Sequence, residues 1–329
     1  MNDKIDFVVL WVDGADPRWL AEKRKYDGTS GDSGENRYRD WDIFQYWFRG
    51  VEKYAPWVNK IHFVTWGHVP NWLNTEHKKL NIVRHDEYIP NRYLPTFNAN
   101  TIELNLHRIQ SISSKFVFFN DDMFLLNETT ENDFFKNELP VDEAVLYPIT
   151  ANDGIFQHIL LNDAQFFVEK FNIKELLRRD RSKWINPIYG KSLLKTMCML
   201  PYPEMSGIML HHQPQSFLKS TLGEVWNEIP EKLEESCKHK FRNIEDVNQY
   251  VFRYWQLGKG KFVPFDMMKR GKYVSVDGSE LDYNKLIVKS SYKIVCLNDC
   301  SISFDFQKEK KKIQDAFKNK FPEKCSFEL

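Results

Sequence analysis

The apolar pattern of the first half of the chain alternates between two kinds of segment. Short, mostly apolar runs stand at 5–12 (IDFVVLWV, nearly continuous), 61–65, 81–84, 116–119 and 144–147. Runs of that length without polar alternation predict strands buried on both faces. Between them, apolar residues recur at helical spacing. Ile43, Phe44, Trp47, Phe48 and Val51 form one stripe, opened by Asp40 as a cap and closed by Pro56. Ile102, Leu106, Ile109 and Ile112 form another, with Asn98 or Asn100 as its cap. Strands alternating with helices predict an α/β fold, a mostly parallel sheet with crossover helices, over residues 1–150.

The second half is less regular. Residues 151–305 read as a mainly helical part with small strands that completes the site. Helices are expected over 152–200, which carries the basic stretch Arg178, Arg179, Arg181 and Lys183, and two more over 215–257. Short strands are expected within 261–276 and 286–295. The tail, 306–329, is basic, and its residues 307–321 read as an amphipathic helix with Ile313, Phe317 and Phe321 on one face and six lysines around them. That face either packs on the domain or meets a membrane surface. The polar, Gly- and Ser-rich stretch 22–40 predicts a mobile loop, and no internal repeat is visible.

Composition narrows the function classes. The 329 residues hold 46 basic and 46 acidic side chains, and this zero net charge removes the broad positive field of a nucleic-acid binder. Aromatics reach 15%, which suits either an aromatic-rich core or a cleft that stacks on sugars. The polar Met-Asn-Asp-Lys start predicts no leader, and no stretch approaches the ~20 apolar residues of a membrane span. Five cysteines, an odd number without a CxxC pair, fit a reduced cytoplasmic protein.

The chemistry concentrates at KFVFFNDD, residues 115–122. Its apolar run ends in Asn120-Asp121-Asp122, and ligands of open α/β sheets sit at the carboxyl ends of strands. Adjacent carboxylates there repel one another unless partnered, and a hard divalent cation carrying a phosphate is one partner. A plain Asx turn is the other reading. Asp13 follows the first strand, so it is expected to share a crevice with Asp122. Glu103 and His107 stand four apart on one expected helix face, either a surface pair or a site. In His211-His212-Gln213-Pro214 the backbone is expected to be extended, with the two rings on opposite sides and at most one in a site. Arg242, in FRNIED, is either a surface ion pair with Glu245 or Asp246 or an anion ligand.

IDFVVLWVDGADPRW, then RYRDWDIFQYWFRGVEKYAPWVNKIHFVTWGHVPNWL, then LPTFNANTIELNLHRI with KFVFFNDDMF, closely resemble the first two conserved regions of the Stealth family. HHQPQSFLKST with FRNIEDVNQY resembles the third region and YKIVCLNDC the fourth. The family comprises hexose-1-phosphoryl transferases, among them bacterial capsular and exopolysaccharide phosphotransferases and the catalytic subunit of the animal enzyme that tags lysosomal glycoproteins. The resemblance implies catalytic roles for Glu103, Asp122, His212 and Arg242. It implies substrate contacts by Trp11, Asp13, Gly14, Arg37, Asp40, Asn120 and Asp299, although Asp13 stands where many members carry Asn. It further implies Mg²⁺ or Mn²⁺ at Asp122 with Asp121.

The implied reaction passes N-acetylhexosamine-1-phosphate or hexose-1-phosphate from a UDP-sugar to a hydroxyl of a polysaccharide or lipid-linked glycan, and releases UMP. His212, or Asp122 itself, is the expected base. A metal-dependent glycosyltransferase releasing UDP is the alternative, and a carbohydrate-binding module the remote one. The expected location is the cytoplasm, with the basic tail offering peripheral contact at the inner face of the membrane.

Overall fold

The structure, a computed structural model, describes residues 4–26, 28, 38–150, 154–301 and 303–329. Its centre is a five-stranded sheet of β1 (Ile5–Leu10), β2 (Ile61–Thr65), β3 (Leu80–Arg84), β4 (Lys115–Phe119) and a later strand Gln215–Leu218, in the order β3-β2-β1-β4 with the later strand outermost. The first four run parallel, with Phe7 opposite both Ile61 and Val117. The last runs antiparallel to β4. The expected class, α/β with a mostly parallel sheet and crossover helices, is therefore what the chain forms.

Strand periodicity explains the mostly apolar runs. Phe7, Val9, Phe63, Val117 and Phe119 point to one face, under the helix Phe44–Tyr54. Val8, Val64, Phe116 and Phe118 point to the other, under Leu104, Ile109, Leu222 and Val251. Both faces are covered, so both positions of the two-residue period must be apolar. Trp47, Phe48, Phe63 and Phe119 are each fully buried. Each such ring contributes roughly 1.5–3 kcal/mol relative to exposure.

A second sheet borders the first. β5 (Met123–Leu125) follows β4 directly; β6 (Phe135–Lys136) and β7 (Leu139–Asp142) come next. With Gln215–Leu218 as β8, the remaining strands are β9 (Val263–Pro264), β10 (Gly271–Val276) and β11 (Ile294–Asp299). The second sheet has the order β10-β11-β5, and β6-β7-β9 form a small third one. Helices between 155 and 200 gather round their own core of Phe167, Leu176, Trp184, Tyr254 and Phe262. The tail helix Phe306–Lys320 turns its apolar face inward: Phe317 is fully buried, 5.3 Å from the stacked ring of Tyr46 and 4.6 Å from Phe124.

Several expected elements differ in form. Residues 144–147 make only a single bridge, Leu146 to Ile208, because the 144–149 segment crosses to the helical part instead of joining the sheet. Asp40 does not cap the helix that starts at Phe44. Its carboxylate accepts the Asp42 N–H at 2.7 Å, and the helix N-cap is Ile43. Residues 215–257 contain three helices, not two, since Pro230 starts a new one after Glu228. The stretch 22–40 lies largely outside the described residues, but its start is helical. Pro17–Arg24 is capped by Asp16, which accepts from the N–H groups of Arg18 and Trp19. Among the described residues, no helix is long and apolar enough to cross a membrane.

Candidate functional site

The carboxyl edge of the central sheet opens into a cavity of about 1130 Å³. Trp11 follows β1 there and Asn120, Asp121 and Asp122 follow β4, all on its wall. The β8 segment arrives from the opposite direction. Phe118 pairs with Gln215 in the antiparallel register, so extending the ladder three residues brings His212 level with Asp121. His212 Nε2 lies 3.3 Å from Asp122 Oδ2. The sheet of β10, β11 and β5 supplies a third group, because Cys296 pairs with Met123 and the Leu297 N–H donates to the Asp122 carbonyl at 2.9 Å. Cys296 Sγ–H donates to Asp122 Oδ2 at 3.2 Å.

His212 takes a φ of 43°, a left-handed backbone rather than the extended one expected for this stretch. Such a conformation costs a non-glycine residue on the order of 1 kcal/mol and is tolerated where surroundings fix it. The rings of the pair do separate. His211 Nε2 lies 2.9 Å from Oε2 of buried Glu143, while His212 faces Asp122. Burial works against charge on His212, but the Asp122 charge and hydrogen bond outweigh it and hold the imidazole above its ordinary pKa.

Glu103 and Arg242 also line the cavity. Glu103 sits in the helix Ala99–Leu104, which Asn98 caps by accepting the Asn100 N–H. The helix ends there and a 3₁₀ turn, Leu106–Arg108, follows. Glu103 and His107 therefore do not share the one helix face expected of them. His107 packs beside Trp226, where burial lowers its pKa to about 3, with Arg108 and Lys219 adding to the effect. Glu103 is 3% exposed, and its Oε2 has no hydrogen-bond partner. Burial pushes its carboxyl up to about 7, opposed by the Arg242 charge, the Gln249 N–H and His212.

One buried carboxylate ties the Glu103 helix to the Arg242 loop. Asp246 Oδ2 accepts from the side-chain amides of Asn98 and Asn100 at 2.8 and 2.9 Å and from the Asn243 N–H at 3.0 Å. His239 Nδ1 lies 2.6 Å from its other oxygen. Asp246 thus serves this staple; the sequence alone offers it, or Glu245, as a surface partner of Arg242. Asn98 and Asn100 flanking a helix start were its visible half.

The remaining expected contacts divide. Trp11, Asp40, Asn120 and Asp299 line the cavity. The Asp299 carboxylate, however, is gripped by both arms of the Arg39 guanidinium and accepts the Trp41 indole N–H at 3.2 Å, so it holds the 39–41 segment on the wall. Among the described residues, Asp13 and Gly14 do not line the cavity, which corrects the expectation that Asp13 and Asp122 open onto one crevice. Asp13 Oδ1 turns back to accept the Ala15 N–H at 2.9 Å, and its own N–H donates to His68 Nε2 at 2.8 Å. A Cβ on Gly14 would stand 2.0 Å from the Tyr38 carbonyl oxygen, so only glycine lets the two segments close here. Arg37 lies outside the described residues. Cys296 and Arg39 are residues that sequence reasoning missed.

The acidic edge suits a cation. Asp121 is open to the cavity yet lies deep in it. Burial, with the charges of Asp122 and Asp40 beside it, raises its carboxyl to about 7. Burial likewise raises Asp40, opposed by the hydrogen bond from the Asp42 N–H and reinforced by the Asp42 carboxylate. Asp122 Oδ1 is buried without a hydrogen-bond partner. Crowded carboxylates with an unpartnered oxygen are the donor set a hard divalent ion takes. The five cysteines are all free.

Comparison with known proteins bears on the same residues. The Stealth conserved region 1 matches residues 3–31 and conserved region 2 matches residues 37–142, which include Glu103, Asp121 and Asp122. A capsular polysaccharide phosphotransferase of Streptococcus pneumoniae, WcwK, is 42% identical over 330 residues, 99% of this chain and 98% of that protein. A receptor polysaccharide phosphotransferase of Streptococcus oralis, WefC, is 39% identical over 99% of this chain and 100% of its own length. An exopolysaccharide phosphotransferase of Lactiplantibacillus plantarum is 37% identical over 98% of this chain and 96% of its own. Among solved structures, the bifunctional glycosyltransferase WbbM aligns with 97% of this chain and 52% of that one at a TM-score of 0.41 and 12% identity. Mouse xyloside xylosyltransferase 1 aligns with 90% of this chain and 98% of its own at 0.38 and 11%. Conserved regions that match in order, and relatives that align end to end, place this chain in the Stealth family.

Proposed function

We propose that this chain is a sugar-1-phosphate transferase. It passes a hexose-1-phosphate from a UDP-sugar to a hydroxyl of a capsular or exopolysaccharide, forms a phosphodiester and releases UMP. The observation that carries the reading is the convergence of Asp122, His212, Glu103 and Arg242 on one cavity. The phosphotransferase names of the full-length relatives support the same class.

The acceptor oxygen attacks the sugar-bearing phosphorus, the bond from that phosphorus to the UMP oxygen breaks, and the acceptor proton goes to His212. A carboxylate only accepts, so the Asp122 contact assigns a hydrogen to His212 Nε2 and leaves Nδ1 as the basic atom. Arg242 keeps its charge at any working pH and offers paired donors to phosphoryl oxygens. Glu103 faces the Arg242 and His212 charges and orients them. Asp122, with Asp121, would hold Mg²⁺ or Mn²⁺, which supplies neutralisation of diphosphate charge when bound.

Two measurements test the reading. A panel of UDP-sugars incubated with a glycan acceptor is expected to yield UMP; UDP instead would indicate a glycosyltransferase. Calorimetric titration of the preferred donor is expected to show binding strengthened by Mg²⁺ in the native chain and unaffected by it in Asp122→Asn. Equal metal dependence in both would remove Asp122 from the metal site.

A further inference from the structure

We propose that Asp122, His212 and Cys296 form a three-donor site for a thiophilic divalent cation of the Zn²⁺ class, distinct in chemistry from the hard-ion site at the paired carboxylates. One donor atom from each residue lies within 4.8 Å of the other two. The two closest separations are 3.3 Å from nitrogen to carboxylate oxygen and 3.2 Å from sulfur to the same oxygen. Donors around a tetrahedral zinc stand ~3.3–3.7 Å apart, given metal–ligand bonds of about 2.0–2.3 Å. Two of the three separations therefore already fit, and the third, within 4.8 Å, closes by at most on the order of 1 Å.

Three further features favour it. The donor set is carboxylate, imidazole and thiol, a mixture that suits zinc and poorly suits magnesium. Cys296 is fully buried, so its sulfur is shielded from oxidants and fixed by β11. Asp122 and His212 are partly open, leaving a face from which an ion enters and at which a water completes four ligands.

The exchange of atoms is simple. Asp122 Oδ2 now receives hydrogen from both Cys296 Sγ and His212 Nε2. The cation replaces both: the thiol proton leaves to solvent, and the imidazole proton moves from Nε2 to Nδ1. If His212 is the base, as proposed above, this takes away the lone pair that accepts the acceptor proton, and zinc inhibits. Binding itself depends on no part of that reading and requires no substrate.

Co²⁺ reports the site directly, since thiolate ligation gives a near-ultraviolet charge-transfer band. The full chain titrated with Co²⁺ is expected to show that band at one equivalent, and Cys300→Ser to retain it. Cys296→Ser is expected to lose it and to bind Zn²⁺ more weakly. A band of equal strength in Cys296→Ser, or none in the native chain, overturns the proposal. X-ray absorption on the native chain with one equivalent of Zn²⁺ decides the matter even if the variant does not fold. One sulfur at about 2.3 Å with lighter donors at about 2.0 Å is expected, and a shell of nitrogen and oxygen alone contradicts it.

Discussion

His211 and His212 are adjacent and chemically identical, yet the fold gives them different work. His212 faces Asp122 across the cavity, and His211 faces buried Glu143. His212→Ala is therefore expected to lower kcat by about 10²–10⁴-fold with donor affinity retained. His211→Ala takes the imidazole away from the buried Glu143 carboxylate, so it is expected to lower Tm with a milder effect on kcat. Steady-state kinetics beside thermal melts check both, and a reversed order would mean that the other ring does the chemistry. Glu103 makes a pH-dependent claim. Its folded carboxyl titrates at about 7 against an ordinary 4.5, so the folded state binds the proton more tightly than the unfolded state. Its contribution is fully favourable below the unfolded value and declines as pH rises from 4.5 to about 7. Glu103→Gln removes the titration and keeps the shape. Relative to the native chain its Tm is expected to be level near pH 4 and higher by a few degrees near pH 8, and a constant difference across that range would contradict the burial argument. Asp122 was legible because an apolar strand that stops at two acids is a local signal. Cys296 was not, because it reaches Asp122 only through the pairing of β11 with β5, which nothing in its neighbours announces.

The strands were legible for a physical reason: burial on both faces keeps most positions apolar, and the buried polar exceptions Asp6 and His62 pair with each other. The helix at 99–104 was legible through its Asn98 cap, but its length was not. Ile109 and Ile112 keep the apolar face going although the chain has already left the α-helix for a 3₁₀ turn. Asp13 does not reach the cavity wall for a related reason. Parallel strands do share an edge, but a carboxylate two residues from a free N–H closes its own turn first. At this scale Asp246 is the critical position, since it joins the Glu103 helix to the Arg242 loop through four contacts. Asp246→Asn places an amide where two asparagine amides donate, and the two elements are expected to separate. kcat should fall about 10–100-fold, because small misplacements of reacting groups cost that much. At a temperature where the variant remains folded by circular dichroism, KM for the donor should change little. A variant with lowered Tm but native kcat would leave Asp246 a purely structural residue.

At the scale of the molecule, the two halves of the chain are interleaved around one cavity. The N-terminal strands provide the acids, the segment before β8 the imidazole, the 239–246 loop the guanidinium and β11 the wall beside Asp122. The tail helix closes the other side of the core, and its apolar face is spent on Tyr46 and Phe124. Periodicity showed that face but not what covers it, because amphipathicity is the same whether the partner is protein or lipid. The central claim is that the cavity transfers a phosphoryl group and not a glycosyl group. A UDP-sugar labelled with ³²P in its β-phosphate separates the two, since attack on phosphorus carries that atom with the sugar and attack on carbon leaves it on uridine. The account predicts label in the polysaccharide with an equal amount of unlabelled UMP released. Label found only in UDP, with none in the polysaccharide, would contradict it.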